Sequence, residues 1–187
     1  MQTLKKIKIF KNVISKQKQE EIKKILFEGR IFPWYFIKDI SASKQHRPGM
    51  QHEFCSFEKG VNSKNFDSIL PIIYFIKKPK LKIFRANSFL QFPNTNYKTY
   101  DTPHYDLLTT KDKYTVFLYY VLNSDGDTVF FDRKKKIIKK VTPKQGTAVM
   151  FDGRYLHSAY QPKKDMRCVI NFNIGGSYEE NIKYANS

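Results

Sequence analysis

From residue 80 onward the apolar positions come in short runs rather than at helical spacing. Seven runs stand out: KLKIFRANSFLQF (80–92), KYTVFLYYVLN (113–123), DTVFFD (127–132), KKIIKKV (135–141), GTAVMFD (146–152), LHSAYQ (156–161) and RCVINFNI (167–174). They are rich in β-branched and aromatic residues and are parted by turn sequences such as NSDGD, TPKQG and DGR. Short strands at this spacing, with no helical pattern between them, predict a β-sandwich or barrel. The N-terminal part has a different texture. Over 15–30, Ile22, Ile25 and Leu26 share one helical face, Ser15 can cap the start and Gly29 can end it. IFPWYFIKDI (31–40) is aromatic and broken by proline, which suits a loop or an edge strand. Residues 41–60, with His46 and His52, read as loop plus a short strand, and 65–78 as a second helix in which Pro71 is tolerable only near the first turn. The polar segment 175–187 is expected to fray. One domain over 1–187 is therefore expected, with 1–79 as helical and looped support and 80–175 as the β core.

Composition narrows the class. At 187 residues, with 41% hydrophobic and 16% aromatic content, the chain can bury a real core. Cys55 and Cys168 lie far apart without a CxxC partner, so reduced thiols are expected rather than a disulfide framework. No apolar run approaches the ~18 residues of a membrane span, and no signal peptide is legible. A soluble, cytoplasmic protein is the expectation. The net charge of +17 suits a nucleic-acid partner, because phosphates are the usual counterpart of such an excess. The excess is carried by 28 lysines against 6 arginines, however, and is scattered apart from RKKKIIKK (133–140). Arginine is the residue that forks onto phosphates and bases, so a solvated lysine surface is the simpler reading.

Chemistry concentrates at DTPHYD (101–106). In extended chain, residues two apart point the same way, so His104 and Asp106 can address one point. An HxD pair alone is weak. His157 follows 51 residues after Asp106, at the start of a later strand, and Arg167 stands ten residues beyond it in another. Two histidines and one carboxylate on a β scaffold form the facial arrangement of non-haem Fe(II) oxygenases. An arginine on a neighbouring strand can fork onto a carboxylate co-substrate.

These pieces resemble the Fe(II)/2-oxoglutarate-dependent dioxygenases, within them the prolyl-4-hydroxylase-like branch and its uncharacterised phage and bacterial members. The resemblance rests on TPHYD, YTVFLYYVLNSDGDTVFF, VTPKQGTAVMFDGRYLHSA and MRCVINFNI, and runs from about residue 83 to 174. It implies a mainly β fold, a double-stranded β-helix (jelly roll) buttressed by N-terminal helices. It also implies that His104, Asp106 and His157 ligate Fe(2+) and that Arg167 binds the distal carboxylate of 2-oxoglutarate. Tyr119 would be the hydroxyl that assists it, with Tyr120 as the alternative, since neighbours in a strand face opposite ways. Asn171 and Asn173 share the parity of Arg167 and are candidate pocket residues. The implied reaction hydroxylates a C–H bond of a protein, peptide or small molecule, with succinate and CO2 as co-products and ascorbate as a candidate accessory reductant. Asp106 favours hydroxylation, because related halogenases lack that carboxylate. Alternatives are oxidation of nucleic-acid bases and a non-catalytic basic binding module. Trp34 and His52 read most simply as core and loop residues, and the oligomeric state leaves no mark on the sequence.

Overall fold

The computed structural model describes residues 6–28, 30–40, 47–96, 99–107 and 111–185; Gly29 and His46 lie outside them. The elements in order are β1 (Ile7–Phe10), α1 (Lys16–Phe27), β2 (Tyr35–Ile37), β3 (Gly49–Ser56), β4 (Gly60–Val61), α2 (Phe66–Ile73), β5 (Ile83–Gln91), β6 (Tyr114–Tyr120), β7 (Thr128–Phe131), β8 (Ile137–Val141), β9 (Ala148–Asp152), β10 (Leu156–Ala159), β11 (Arg167–Gly175) and α3 (Tyr178–Ala185). Every run predicted from residue 80 onward is a strand. Two antiparallel sheets result: a large one in the order β1-β9-β6-β11-β5-β3-β2, with β4 beside β3, and a small one in the order β10-β7-β8. Single bridges from Tyr100 to Tyr160 and from His104 to His157 extend the small sheet. This is the double-stranded β-helix.

The large sheet is buried on both faces. Outward, Phe117 and Tyr119 of β6, Met150 of β9 and Ile170, Phe172 and Ile174 of β11 pack with Ile22 and Leu26 of α1 and Ile69, Ile72 and Ile73 of α2. Inward, Val116, Leu118 and Tyr120 meet Phe130, Val149, Phe151 and Val169 between the sheets. Burying each such side chain contributes about 1.5–3 kcal/mol. α1 begins where the sequence places it: Ser15 Oγ accepts from the Lys18 amide at 3.3 Å.

Four expectations are corrected. Ile7–Phe10, unassigned from sequence, is an edge strand paired with β9. Within 41–60 the strand β3 is eight residues long and pairs with β5 along most of its length. The second helix stops at Ile73 and holds Pro71 past its first turn. Through Ala185 the C-terminal segment is a packed helix rather than a frayed end: α3 buries Tyr178, Asn181 and Ala185, and Asn181 Nδ2 donates to Thr115 Oγ1 at 3.0 Å. A buried asparagine can therefore anchor a helix that its polarity alone argues against. Among the described residues no helix is long and apolar enough to cross a membrane.

Candidate active site

His104, Asp106 and His157 converge: one ligand atom from each lies within 4.8 Å of the others. The convergence is built by backbone pairing. His104 N–H donates to His157 O at 2.9 Å and His157 N–H to His104 O at 3.1 Å, which sets the two rings side by side with centroids 4.8 Å apart. Each ring is then locked the same way. Nδ1–H of His104 donates to Thr102 O and Nδ1–H of His157 to Tyr155 O, both at 3.0 Å. Both Nε2 lone pairs are thereby left facing Asp106, whose Oδ1 stands 3.9 Å from His104 Nε2 and 3.5 Å from His157 Nε2. Fixing the tautomer through the far nitrogen is what a histidine ligand requires.

The carboxylate is oriented as tightly. Asp106 Oδ2 accepts from Asn171 Nδ2 at 2.9 Å and from Asn173 Nδ2 at 2.8 Å. Oδ1 is left toward the histidines and toward Arg85, whose Nη2 is 3.6 Å away. Arg85 Nε donates to Asn173 Oδ1 at 2.9 Å. Burial works against the charge on Asp106, but His157, Arg85 and His104 outweigh it and hold the carboxyl far below its usual range. Desolvation and the neighbouring His157 push His104 below the ordinary imidazole value, toward the neutral form that binds metal. Two imidazoles and one carboxylate, each held by a second hydrogen bond, fit a divalent first-row metal with open positions.

Arg167 lies deeper between the sheets and is 5% exposed. Its guanidinium donates to Gly126 O, Gln91 Oε1 and Thr128 Oγ1, each at 3.0 Å. All three acceptors are neutral. Gly126 is required there, because a Cβ would meet Tyr160 O at 2.9 Å and Arg167 Cδ at 3.0 Å. Burial lowers the pKa of Arg167 from its usual value, so the site favours any anion that can pair with it. The nearest carboxylate network is one step removed: Gln91 Nε2 donates to Asp101 Oδ2 at 3.3 Å, and Asp101 Oδ1 forms a buried ion pair with Arg47.

The expected role of Tyr119 is corrected by its position. Tyr119 pairs in register with Ile170 and packs in the helix-side core, on the opposite face from Arg167. Tyr120 occupies the inner face, and its hydroxyl donates to Thr128 Oγ1 at 2.9 Å, the same atom that Arg167 bonds. Burial pushes the Tyr120 phenol up to about 12, so it stays a neutral donor. His52 faces the helix side. Its Nδ1 is 2.9 Å from Pro33 O and its Nε2 2.7 Å from Ser63 Oγ, within a cluster of Phe32, Phe54 and Tyr35. Trp34 caps α1 by donating from Nε1 to Leu26 O at 2.9 Å.

Arg47, Arg85, Asn87 and Asp101 were not singled out from sequence. Scarcity could have flagged the arginines: in a chain with 28 lysines and only 6 arginines, half of the arginines, Arg47, Arg85 and Arg167, serve this one region. Where a fork of fixed donors is needed, lysine cannot substitute.

Residues 88–175 match the family model described as the 2OG-Fe(II) oxygenase superfamily. Solved structures share the fold over most of the chain. A viral collagen prolyl hydroxylase from Paramecium bursaria Chlorella virus-1, in complex with 2-oxoglutarate, is 17% identical, with 90% of this chain and 94% of that one covered at a TM-score of 0.58. A 2OG-Fe(II) oxygenase family oxidoreductase from Burkholderia pseudomallei is 11% identical, with 92% and 86% covered at 0.71. A prolyl hydroxylase from Trichoplax adhaerens, in complex with a hypoxia inducible factor peptide, is 13% identical, with 98% and 87% covered at 0.62. No curated protein matches the sequence. The matched segment holds His104, Asp106, His157 and Arg167; it supports an oxygenase enzyme with Fe(II) and 2-oxoglutarate as cofactors, and His104, Asp106 and His157 could hold the metal.

Proposed function

We propose that this protein hydroxylates a C–H bond of a peptide or small-molecule substrate, releasing succinate and CO2, with His104, Asp106 and His157 as the iron ligands. Iron, when bound, supplies the activation of O2 and the oxidising power. The protein's own residues supply placement. Asn171 and Asn173 hold Oδ2 of Asp106 and so present Oδ1. Thr102 O and Tyr155 O hold the Nδ1 side of each histidine and so turn Nε2 toward the proposed metal position. Arg167 takes the distal carboxylate of 2-oxoglutarate, aided by the Thr128 hydroxyl, which accepts from both Arg167 and Tyr120 and so keeps its own hydrogen to donate. The observation that carries the reading is a buried guanidinium whose hydrogen-bond acceptors among the described residues are all neutral, facing the same space between the sheets as an oriented His-Asp-His set. The apolar residues between the sheets keep bulk water from this space.

The peptide option draws support from fold neighbours that are prolyl hydroxylases, one of them in complex with a peptide. Base oxidation has less support, because three of the six arginines serve the interior rather than a phosphate-facing surface. We also read 1–187 as one domain, since β1 at one end of the chain and α3 at the other both pack on strand β9 or its neighbours.

Anaerobic visible absorption tests the site. Fe(II) followed by 2-oxoglutarate should give a weak charge-transfer band that needs both additions and is lost in Arg167→Ala. His157→Ala should release no succinate while its circular dichroism stays native. Succinate release from well-folded His157→Ala would show that the ligand assignment is wrong.

A further inference from the structure

A guanidinium that is to fork onto a carboxylate must itself be aimed. Three N–H groups of Arg167 are taken by the protein: Nε donates to Gly126 O, Nη1 to Gln91 Oε1 and Nη2 to Thr128 Oγ1. Each terminal nitrogen keeps one more N–H, and together these make the fork. Gln91, the direct cross-strand partner of Arg167 on β5, thus sets the direction of Nη1. Its amide can hold a guanidinium only through oxygen, because a guanidinium accepts nothing. The two ends of an amide are close in shape, so a second contact must stop Nε2 from turning toward the cation. Asp101 makes that contact: its Oδ2 accepts from Gln91 Nε2 at 3.3 Å.

Asp101 is fixed from every side. It is buried, and its other oxygen, Oδ1, is ion-paired with the equally buried Arg47. Its backbone is tied to β10: the N–H donates to Ala159 O at 2.8 Å and the carbonyl accepts from Ser158 Oγ at 2.5 Å. The same strand carries His157, to which His104 bridges three residues further on. One short segment, 101–106, therefore reaches the metal set directly and Arg167 through Gln91. Desolvating two charges offsets most of their attraction, so net stability alone does not account for the Arg47–Asp101 pair.

We propose that Asp101, held by Arg47, is a positioning residue for the co-substrate: through Gln91 it aims the Arg167 guanidinium at the distal carboxylate of 2-oxoglutarate. This rests on the function proposed above and deepens it. The chemistry is one of acceptor count. Asp101 gives one oxygen to Arg47 and one to Gln91. Asp101→Asn leaves one oxygen for two donors. Arg47, the charged donor, keeps it, and Gln91 then faces an amide N–H. To accept from that group Gln91 must turn its own Nε2 onto Arg167, donor against donor, which swings the fork away.

Anaerobic titration of the Fe(II) protein with two keto acids, followed by the charge-transfer band, tests this by binding rather than turnover. Pyruvate has the same keto-acid head as 2-oxoglutarate and lacks the distal carboxylate. Asp101→Asn should weaken 2-oxoglutarate by on the order of tenfold and leave pyruvate and Zn(II) affinity unchanged. Gln91→Leu should do the same, and Asp101→Asn added to it should bring no further loss, because the two act in series. Should Asp101→Asn not fold, the paired change Arg47→Met with Asp101→Leu decides. Apolar replacement of a buried ion pair should keep or raise the urea midpoint, yet this variant too should lose 2-oxoglutarate affinity and not pyruvate. If the folded variants bind 2-oxoglutarate like the wild type, or lose pyruvate equally, or if the losses at 91 and 101 multiply, the positioning role is overturned alone. If the folded wild type gives no band with 2-oxoglutarate, the function proposed above falls with it.

Discussion

Strand β11 has two faces that could belong to different proteins. Cys168, Ile170, Phe172 and Ile174 point into the helix-side core and carry no polar side chain other than a thiol. Arg167, Val169, Asn171 and Asn173 point between the sheets, where three of the four are polar and all are buried. The first face gains stability from apolar burial. The second spends stability on desolvated polar groups and recovers it through a connected set of hydrogen bonds, from Gly126 and Thr128 at one end to Asp106 and Arg85 at the other. The difference teaches where each kind of mutation should register: as lost folding on one side, as lost binding on the other.

The strongest way to break that division is a large cavity on the apolar face. Phe172→Ala should cost about 3–5 kcal/mol in urea unfolding, while its folded fraction still binds 2-oxoglutarate. A comparable loss of co-substrate affinity there would erase the distinction between faces. On the polar face, Arg167→Ala should weaken 2-oxoglutarate by on the order of a hundredfold or more, because a buried charge pair loses one partner; the charge-transfer titration reads this. Asn173→Ala should lower metal affinity by about 10–100-fold, since Asp106 and Arg85 both lose a hydrogen bond that orients them; Zn(II) competition against a chelator measures it. Adjacent tyrosines give the sharpest contrast at smaller amplitude. Tyr120→Phe should weaken 2-oxoglutarate several-fold, the scale of one neutral hydrogen bond, and Tyr119→Phe should leave it alone. The reverse order would mean that the faces of β6 are misassigned.

The smallest effect is a pH dependence on the helix side. Burial holds His52 below its ordinary value. As pH falls, the unfolded chain therefore takes up this proton first, and stability present above about pH 6.5 is lost below it. Substituting His52→Phe should flatten that part of the fall in a urea-midpoint series between about pH 7 and pH 5, with no change in metal binding.

Much of this was legible before any coordinates. Strands β5–β11 announce themselves because each short apolar run ends in a turn sequence, and that information is local. His104, Asp106, His157 and Arg167 stand out as residue types at suggestive separations. The helical C-terminus was missed, because what holds α3 is Asn181 bonding to Thr115 across 66 positions of sequence. Tyr119 was preferred over Tyr120 for a related reason. YTVFLYY is buried at every position, so no polar–apolar alternation tells which side chains face the helices and which face the pocket.

The sequence by itself determined strands β5–β11, the class of chemistry and most of the residues able to perform it. Tertiary structure alone decided facing and partnership: that Oδ2 of Asp106 belongs to two asparagines, that Arg47 belongs to Asp101, and that Oδ1 of Asn87 has no hydrogen-bond partner among the described residues. Turn chemistry acts over a few residues, whereas the register between β5 and β11 is set by the whole sheet packing on its helices, and only that register brings positions 85, 87, 171 and 173 to one place.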